Sequence, residues 1–491
     1  FRENFQNMRF HIRKGKCISV RNYNFHDAFS SCSDSDDNTA KTDRDSERVI
    51  FEKQFTQDLQ TMADEFRFDA AQQTCSSVKE FIDALDEEAL ANKVFEILPN
   101  LLGGFQGTNI AYLPEQDKAA VKACIKERLG STDEQVENME NFAVVDAYNS
   151  IGKMKLTFKD GKCTVTNDAE AFTIENTNAQ GQTSTLALKF NDERDGLCFF
   201  LNVYGNPIAI QLPKKITVSK TTPQGEIFTG TINLTTGNAN QSKYVSFKIN
   251  DWVADATLTA NVNNRKESAT AYVKHTSQGT FDLKAAFKIN NKEMLSAEIN
   301  DMHDAYTDEE IESEEFKSLR DMGEFFSISY ELLKALKGKS VDNIVLTMNN
   351  NMVIEGNVDD VAKTLLALGN VRKLYGSEPG KEAIDKYTQE LNKYVHFTVS
   401  QKNTGIKANA TLLTAQKNLT NGEYQPVVAL KFKGETEALA MFERMNDTDK
   451  KNYKKILDNI PPITNAISEM IGTAKEKVGK IATAVKNQFS S

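Results

Sequence analysis

The chain has 491 residues, of which 40% are hydrophobic and 26% charged, and a formal net charge of -10. That composition is globular, with room for roughly two to four domains or for one large sheet with helical additions. The acidic balance excludes nucleic acid as a main partner, because phosphate binding needs a concentrated basic surface. No run of about 18 apolar residues exists, so no transmembrane helix is expected.

The N-terminal stretch Met8–Lys16 is basic, like the start of a signal peptide. The segment after it carries Arg21, His26 and Asp27 and lacks the roughly 7–15 apolar residues of an export signal. Residues 1–31 therefore read as a degenerate or misassigned leader. Small residues precede Cys32 in "SSCSDSDD" and an acidic run follows it. Residues 33–46 have no apolar periodicity and read as a disordered tether, so 32–46 form one unit.

From 47 to 150 the period is helical. Val49, Ile50, Phe51, Phe55, Leu59, Met62 and Phe66 recur at three- and four-residue spacings. Ser77 with Glu80 fits a capping box before "FIDAL". Pro114 and Gly130 bracket another helix. Near Met154 the period drops to 2. Asp160-Gly161 is the dipeptide of a type I′ hairpin turn. In "TFDLKAAFKIN", Phe281, Leu283, Ala285, Phe287 and Ile289 share one face, with Asp282, Lys284 and Lys288 on the other. Residues 151–300 thus read as an antiparallel meander with one apolar and one wet face. Residues 301–338 read as an acidic loop and a helix.

Residues 339–491 read as a smaller β/α region. A hairpin turns at Asn349–Asn351, and "PVVALKFKGETEALAMFERM" reads as strand, glycine, helix, a unit that Gly356 and Gly434 hint is duplicated. A long amphipathic helix spans Ile463–Phe489 and carries Lys475, Lys477, Lys480 and Lys486 mostly outside its apolar stripe. The fold class expected is α+β: a large curved antiparallel sheet covered by helices, because an apolar face of that size is rarely left bare.

Signals for chemistry are sparse. The sequence has no nucleophile elbow, zinc-protease motif, phosphate-binding loop or dinucleotide fingerprint. The histidines His11, His26, His275, His303 and His396 are scattered, and no cofactor is expected. The acidic run 301–315 offers Asp301, Asp304 and Asp308 as weak candidates for a cation, although its spacing fits no calcium loop. After Cys17 and Cys32, the remaining Cys75, Cys124, Cys163 and Cys198 are candidates for two disulfides, in chain order Cys75–Cys124 and Cys163–Cys198, or for four buried thiols. The wet strand faces, as in "TLTANVNN", offer Thr, Lys and Asn to a glycan or a partner protein. Trp252 reads as a core residue.

The junction at Ser30–Asp37 resembles that of lipoproteins from Bacteroidota-type gut bacteria, where small residues precede the lipidated cysteine and an acidic run directs the protein to the outer face of the outer membrane. The meander segments "VSFKINDWVADATLTANVNN" and "LKAAFKINNKEMLSAEIN" resemble large uncharacterised lipoproteins of the same bacteria. The resemblance implies a lipid anchor on Cys32 and a cell-envelope location, and assigns no active site. The expectation is a non-catalytic envelope lipoprotein that binds or scaffolds a protein, a glycan or a hydrophobic ligand. The alternatives are a carrier of a hydrophobic ligand between sheet and helices, and a hydrolase using dispersed carboxylates.

Overall fold

The structure, a computed structural model, describes residues 46–129, 132–167, 171–190, 197–203, 206–236, 242–245, 251–276, 280–303, 341–359, 364, 380–416, 424–441 and 444–490. Cys32, the leader and the tether lie outside them, as do the helix expected within 301–338 and nearly all of the segment that would follow Gly356 as the helix of the duplicated unit.

The chain opens with helices α1 (Glu47–Glu65), α2 (Asp69–Asp83), α3 (Glu87–Ala91) and α4 (Val94–Gly103). Strand β1 (Phe105–Asn109), helices α5 (Glu115–Leu129) and α6 (Asp133–Glu137), strand β2 (Asn141–Asp146) and helix α7 (Ala147–Ser150) follow. The region 47–150 is thus not wholly helical. Its two strands join β8 (Asn206–Gln211), β7 (Cys198–Val203) and β11 (Tyr244–Val245) in a five-stranded sheet of order β1-β2-β8-β7-β11. Helix α5 packs on it through Val121, Cys124 and Ile125, against Phe142, Phe200 and Tyr244.

The second sheet has sixteen strands. In chain order these are β3 (Lys155–Lys159), β4 (Lys162–Thr166), β5 (Phe172–Thr177), β6 (Thr183–Phe190), β9 (Lys215–Thr222), β10 (Gly225–Thr236), β12 (Trp252–Val262) and β13 (Arg265–His275). Then come β14 (Thr280–Ile289), β15 (Lys292–His303), β16 (Val341–Met348), β17 (Met352–Val358), β18 (Val395–Gln401), β19 (Lys407–Gln416), β20 (Tyr424–Phe432) and β21 (Leu439–Ala440). Helix α8 (Lys381–Tyr394) runs into β18, and α9 (Asp447–Asp458) and α10 (Ile460–Ser490) close the chain. The strands after residue 339 extend the meander rather than build a sheet of their own. From β12 to β20 each strand pairs antiparallel with its chain neighbours.

Turn chemistry explains the regularity. Asp160-Gly161, Asn263-Asn264, Asn290-Asn291 and Asn349-Asn350 all have positive φ, between 48° and 69°. Asn, Asp and Gly tolerate that conformation, which type I′ hairpins require at both central positions. One expected unit is absent. Between Gly434 (φ 83°) and Met441 the chain makes no helix; Leu439–Ala440 pairs with β20 instead, and Met441 N donates to Val428 O. An open sheet edge presents unpaired backbone groups, and these override the local helical pattern. Gly356 also differs from Gly434: it lies within β17, where an added Cβ would meet His396 O at 2.1 Å and the Phe397 ring at 2.4 Å. Gly356→Ala is therefore expected to push β18 away and to destabilise the protein by about 1–3 kcal/mol, read as a lower urea midpoint with unchanged m-value.

Helix α1 lies across the apolar face of this sheet. Phe51, Phe55, Leu59 and Met62 pack on Ile289, Met352, Val399 and Leu430, which come from β14, β17, β18 and β20. Val49 and Ile50, which the spacing also assigned to this stripe, face outward. The position they seemed to claim belongs to Arg48, which is buried: its Nη2 donates to Leu430 O at 2.7 Å and its Nε to Glu435 at 2.5 Å. Asp58, also buried, accepts from Asn349 at 2.9 Å and Asn351 at 2.6 Å. These hydrogen bonds fix which residues of α1 lie over which strands.

Helix α2 begins at Asp69, so Ser77 and Glu80 fall inside it rather than at its cap. Its exposed N–H groups are met from the sheet: Ala70 N and Ala71 N donate to the two oxygens of Glu267 on β13, at 3.1 and 2.9 Å. Arg265 Nε gives Glu267 a third bond at 2.6 Å, while its Nη2 holds Glu65 O and Arg67 O. Helix α10 packs on α2 and α3, where Lys477 reaches Asp83 O, Leu85 O and Glu87 at 2.8–3.0 Å. Trp252 is a core residue: it stacks on His275 at 6.1 Å and, with Leu197, Leu234 and Val245, joins the two sheets.

Candidate binding face

The two faces of the large sheet are sorted by register. Ile232, Ala256, Ala271, Ala285 and Ala297 lie side by side on neighbouring strands, and the row continues through Leu346, Ile354, Val399, Ala408 and Phe432. One residue along each strand, the opposite face carries Asn233, Asp255, Tyr272, Lys284 and Glu298, and then Val345, Glu355, Thr398, Asn409 and Lys431. Along this row ten strands keep the alternation, and the bulges between β14 and β15 and between β16 and β17 fall outside it, because a shift of one residue there would turn the apolar row into water.

The polar face is hollowed. An open trough of about 900 Å³ runs over β16 to β19, lined by Asn343, Glu355, Asn357, His396, Thr398 and Asn409 among others. A second basin of about 360 Å³ over β12 to β16 includes Asp255, Thr257, Thr270, Tyr272, Lys284 and Glu298, and the two share Val345. Together they span eight strands, about 34 Å at ~4.8 Å per strand.

The charged groups of this face have partners within it. Lys284 pairs with Glu298 at 2.6 Å and Lys407 with Glu355 at 3.6 Å. Asn233 donates to Asp255 at 2.7 Å, Ser296 to Glu293 at 2.8 Å, and His396 Nε2 lies 3.0 Å from Asp359. The Lys284 hydrogen bond, helped by Asn300, holds the Glu298 carboxyl below the usual carboxylate range, and the same bond raises the Lys284 ammonium. Glu298 and Glu355 sit two strands apart in one row, about 10 Å between Cα atoms. A glycosidase acid needs the opposite arrangement, a carboxyl kept protonated by burial.

The other candidates fall elsewhere. Cys75, Cys124, Cys163 and Cys198 are free thiols, so the chain-order pairs Cys75–Cys124 and Cys163–Cys198 are not formed. Cys124 and Cys198 share the core of the small sheet, whereas Cys163 lies in another cluster beneath Phe81 and Leu85. Sequence order paired them by chain position, but the fold sorts them by which sheet they join. Burial pushes the Cys163 thiol up to about 11 and Cys198 up to about 12, leaving neither as a thiolate nucleophile near neutral pH. Asp301 ends up on β15, and Asp304 and Asp308 lie outside the described residues. Among the described residues no group of three or more His, Cys, Asp or Glu side chains could hold a metal ion, and no helix is long and apolar enough to cross a membrane.

Sequence reasoning found the wet strand faces but not the trough, which needs the register of strands more than 150 residues apart in the chain, such as those of Asp255 and Asn409. Comparison with protein-family models, with curated proteins and with solved structures finds no match to this chain.

Proposed function

We propose that the protein is a non-catalytic binding protein of the cell envelope, anchored through lipid on Cys32, spaced from the membrane by residues 33–46, and using the polar trough as its ligand face. The observation that carries the binding role is the trough itself, an open polar channel across eight strands whose carboxylates are held by lysine, amide and hydroxyl partners. Such groups hydrogen-bond a ligand but supply neither a free nucleophile nor a proton donor. The polar face is favoured over a hydrophobic carrier site beneath α1, because that space is filled by Phe51, Phe55, Met62, Met294 and Leu430, each 8% exposed or less. The anchor is argued from the Ser30–Asp37 junction.

Two measurements test the two halves. Mass spectrometry of the native protein from envelope fractions is expected to show a mature N-terminus at Cys32 carrying diacylglycerol; a native chain retaining residues 1–31 would defeat the anchor. A photo-crosslinking amino acid at position 409, in the trough, is expected to yield a defined adduct in cells, whereas one at the exposed Lys451 on α9 is not. Equal or absent labelling at the two positions would remove the trough as the ligand face.

A further inference from the structure

We infer that the trough binds an uncharged polysaccharide, laid across the strands along the row from Asp255 to Asn409; this rests on the trough being the ligand face. Shape gives the first argument. The two basins meet at Val345 and together extend along about 34 Å, a length that fits a linear polymer rather than a compact molecule. Its functional groups recur once per strand, every ~4.8 Å, a step close to the length of one sugar ring.

Chemistry gives the second. The lining mixes amides and hydroxyls, Asn343, Asn357, Asn409, Thr398, Thr257 and Thr270, which both donate and accept hydrogen bonds. A sugar hydroxyl also does both. Asp255, Glu293, Glu298 and Glu355 outnumber Lys284 and Lys407 along the channel, which repels nucleic acids and acidic glycans. The Tyr272 side chain, half-buried in the second basin, supplies an aromatic surface for a sugar ring.

Elimination gives the third. An extended peptide joins a sheet by pairing with free backbone at an edge. Every strand under the trough from β12 to β19 is already paired on both sides, so its face offers side chains alone. An acyl chain would need continuous apolar walls, whereas the apolar atoms of this lining, such as those of Val345 and Phe397, are interrupted by amides, hydroxyls and carboxylates.

The test is affinity electrophoresis of the whole protein in native gels cast with xylan, mannan, laminarin or starch, with polygalacturonate as the acidic control. At least one neutral polysaccharide is expected to retard the protein and polygalacturonate is not. Asn409→Ala with Thr398→Ala, both on the solvent side of their strands, is expected to weaken that retardation at least tenfold without changing the urea midpoint. Tyr272→Ala provides an independent variant in the other basin and is expected to weaken it as well. Retardation by polygalacturonate alone, or retardation that survives both variants, overturns the inference. If no polysaccharide retards the protein but the crosslinker at position 409 yields a defined adduct of another chemistry, the polysaccharide assignment falls and the trough remains the ligand face; if neither occurs, both fall.

Discussion

Replacing Lys220 by methionine is expected to stabilise the protein by about 3 kcal/mol at neutral pH. Lys220 points from β9 to the apolar side of the sheet and is 1% exposed. Its ammonium lies 3.8 Å from the centre of the Phe81 ring on α2, a contact that offsets part of its desolvation. Burial is the cause of its titration shift: the pKa falls from 10.5 to about 8, with no carboxylate contributing. The sign follows from linkage. Below about pH 8 the lysine is charged in both folded and unfolded chains, and the full burial cost is present. Between about 8 and 10.5 the unfolded chain binds the extra proton, so stability rises with pH; above that window both forms are neutral and the cost is gone. Lys220→Met keeps the volume, places sulfur near Phe81 and removes the cost. Urea unfolding of both proteins from pH 7 to 11 measures this: the gap is expected to be widest at pH 7 and to close by about pH 10.5. A gap independent of pH would show that the ammonium is solvated in the folded chain.

The opposite effect is expected at Glu267. This buried carboxylate holds the first N–H groups of α2 and the guanidinium of Arg265, which in turn ties down the carbonyls ending α1. Glu267→Ala leaves a partly buried cation and two helix N–H groups without their acceptor, at a cost of about 3–5 kcal/mol. Adding Arg265→Ala to it is expected to cost less than the sum of the two single changes, because the uncompensated cation is then gone. Chemical unfolding of the four-member cycle gives the coupling; additive losses would mean that the two residues act separately.

Both residues mark where sequence reading stopped. The period-2 pattern, the Asn-Asn and Asp-Gly turns and the long C-terminal helix were legible because each is a local signal: the turn residues set φ, and the spacing of apolar side chains reports which face is buried. The apolar set of "TFDLKAAFKIN" lies on one face, as alternation requires. The small sheet was not legible. Its five strands come from residues 105–109, 141–146, 198–203, 206–211 and 244–245, and two of its pairings are parallel, set by packing around Phe142 and Phe200 rather than by turns. Arg48, Glu267 and Lys220 escaped for a shared reason: a charged side chain in a surface-like pattern reads as solvated, and only a partner hundreds of residues away, or an aromatic ring over it, reveals that it is buried. The trough belongs to the same class. Its groups are ordinary Thr, Asn, Lys and Glu until seven pairings, from β12 to β19, align them.

The position of α1 also has a consequence in time. Helix α1 carries Arg48, whose acceptors Leu430 and Glu435 are synthesised 382 and 387 residues later. Phe51 likewise waits for Phe432, its ring neighbour at 5.1 Å. Hairpins from β12 onward close with their immediate neighbours as they emerge, but their apolar face has no α1 anchored over it until β20 exists. Completion of the fold is therefore tied to the last fifth of the chain, and a nascent chain lacking that part leaves open the stretch of apolar face that α1 covers. Removing β20 and the helices after it is expected to loosen α1 as well, although the two ends of the chain are hundreds of residues apart.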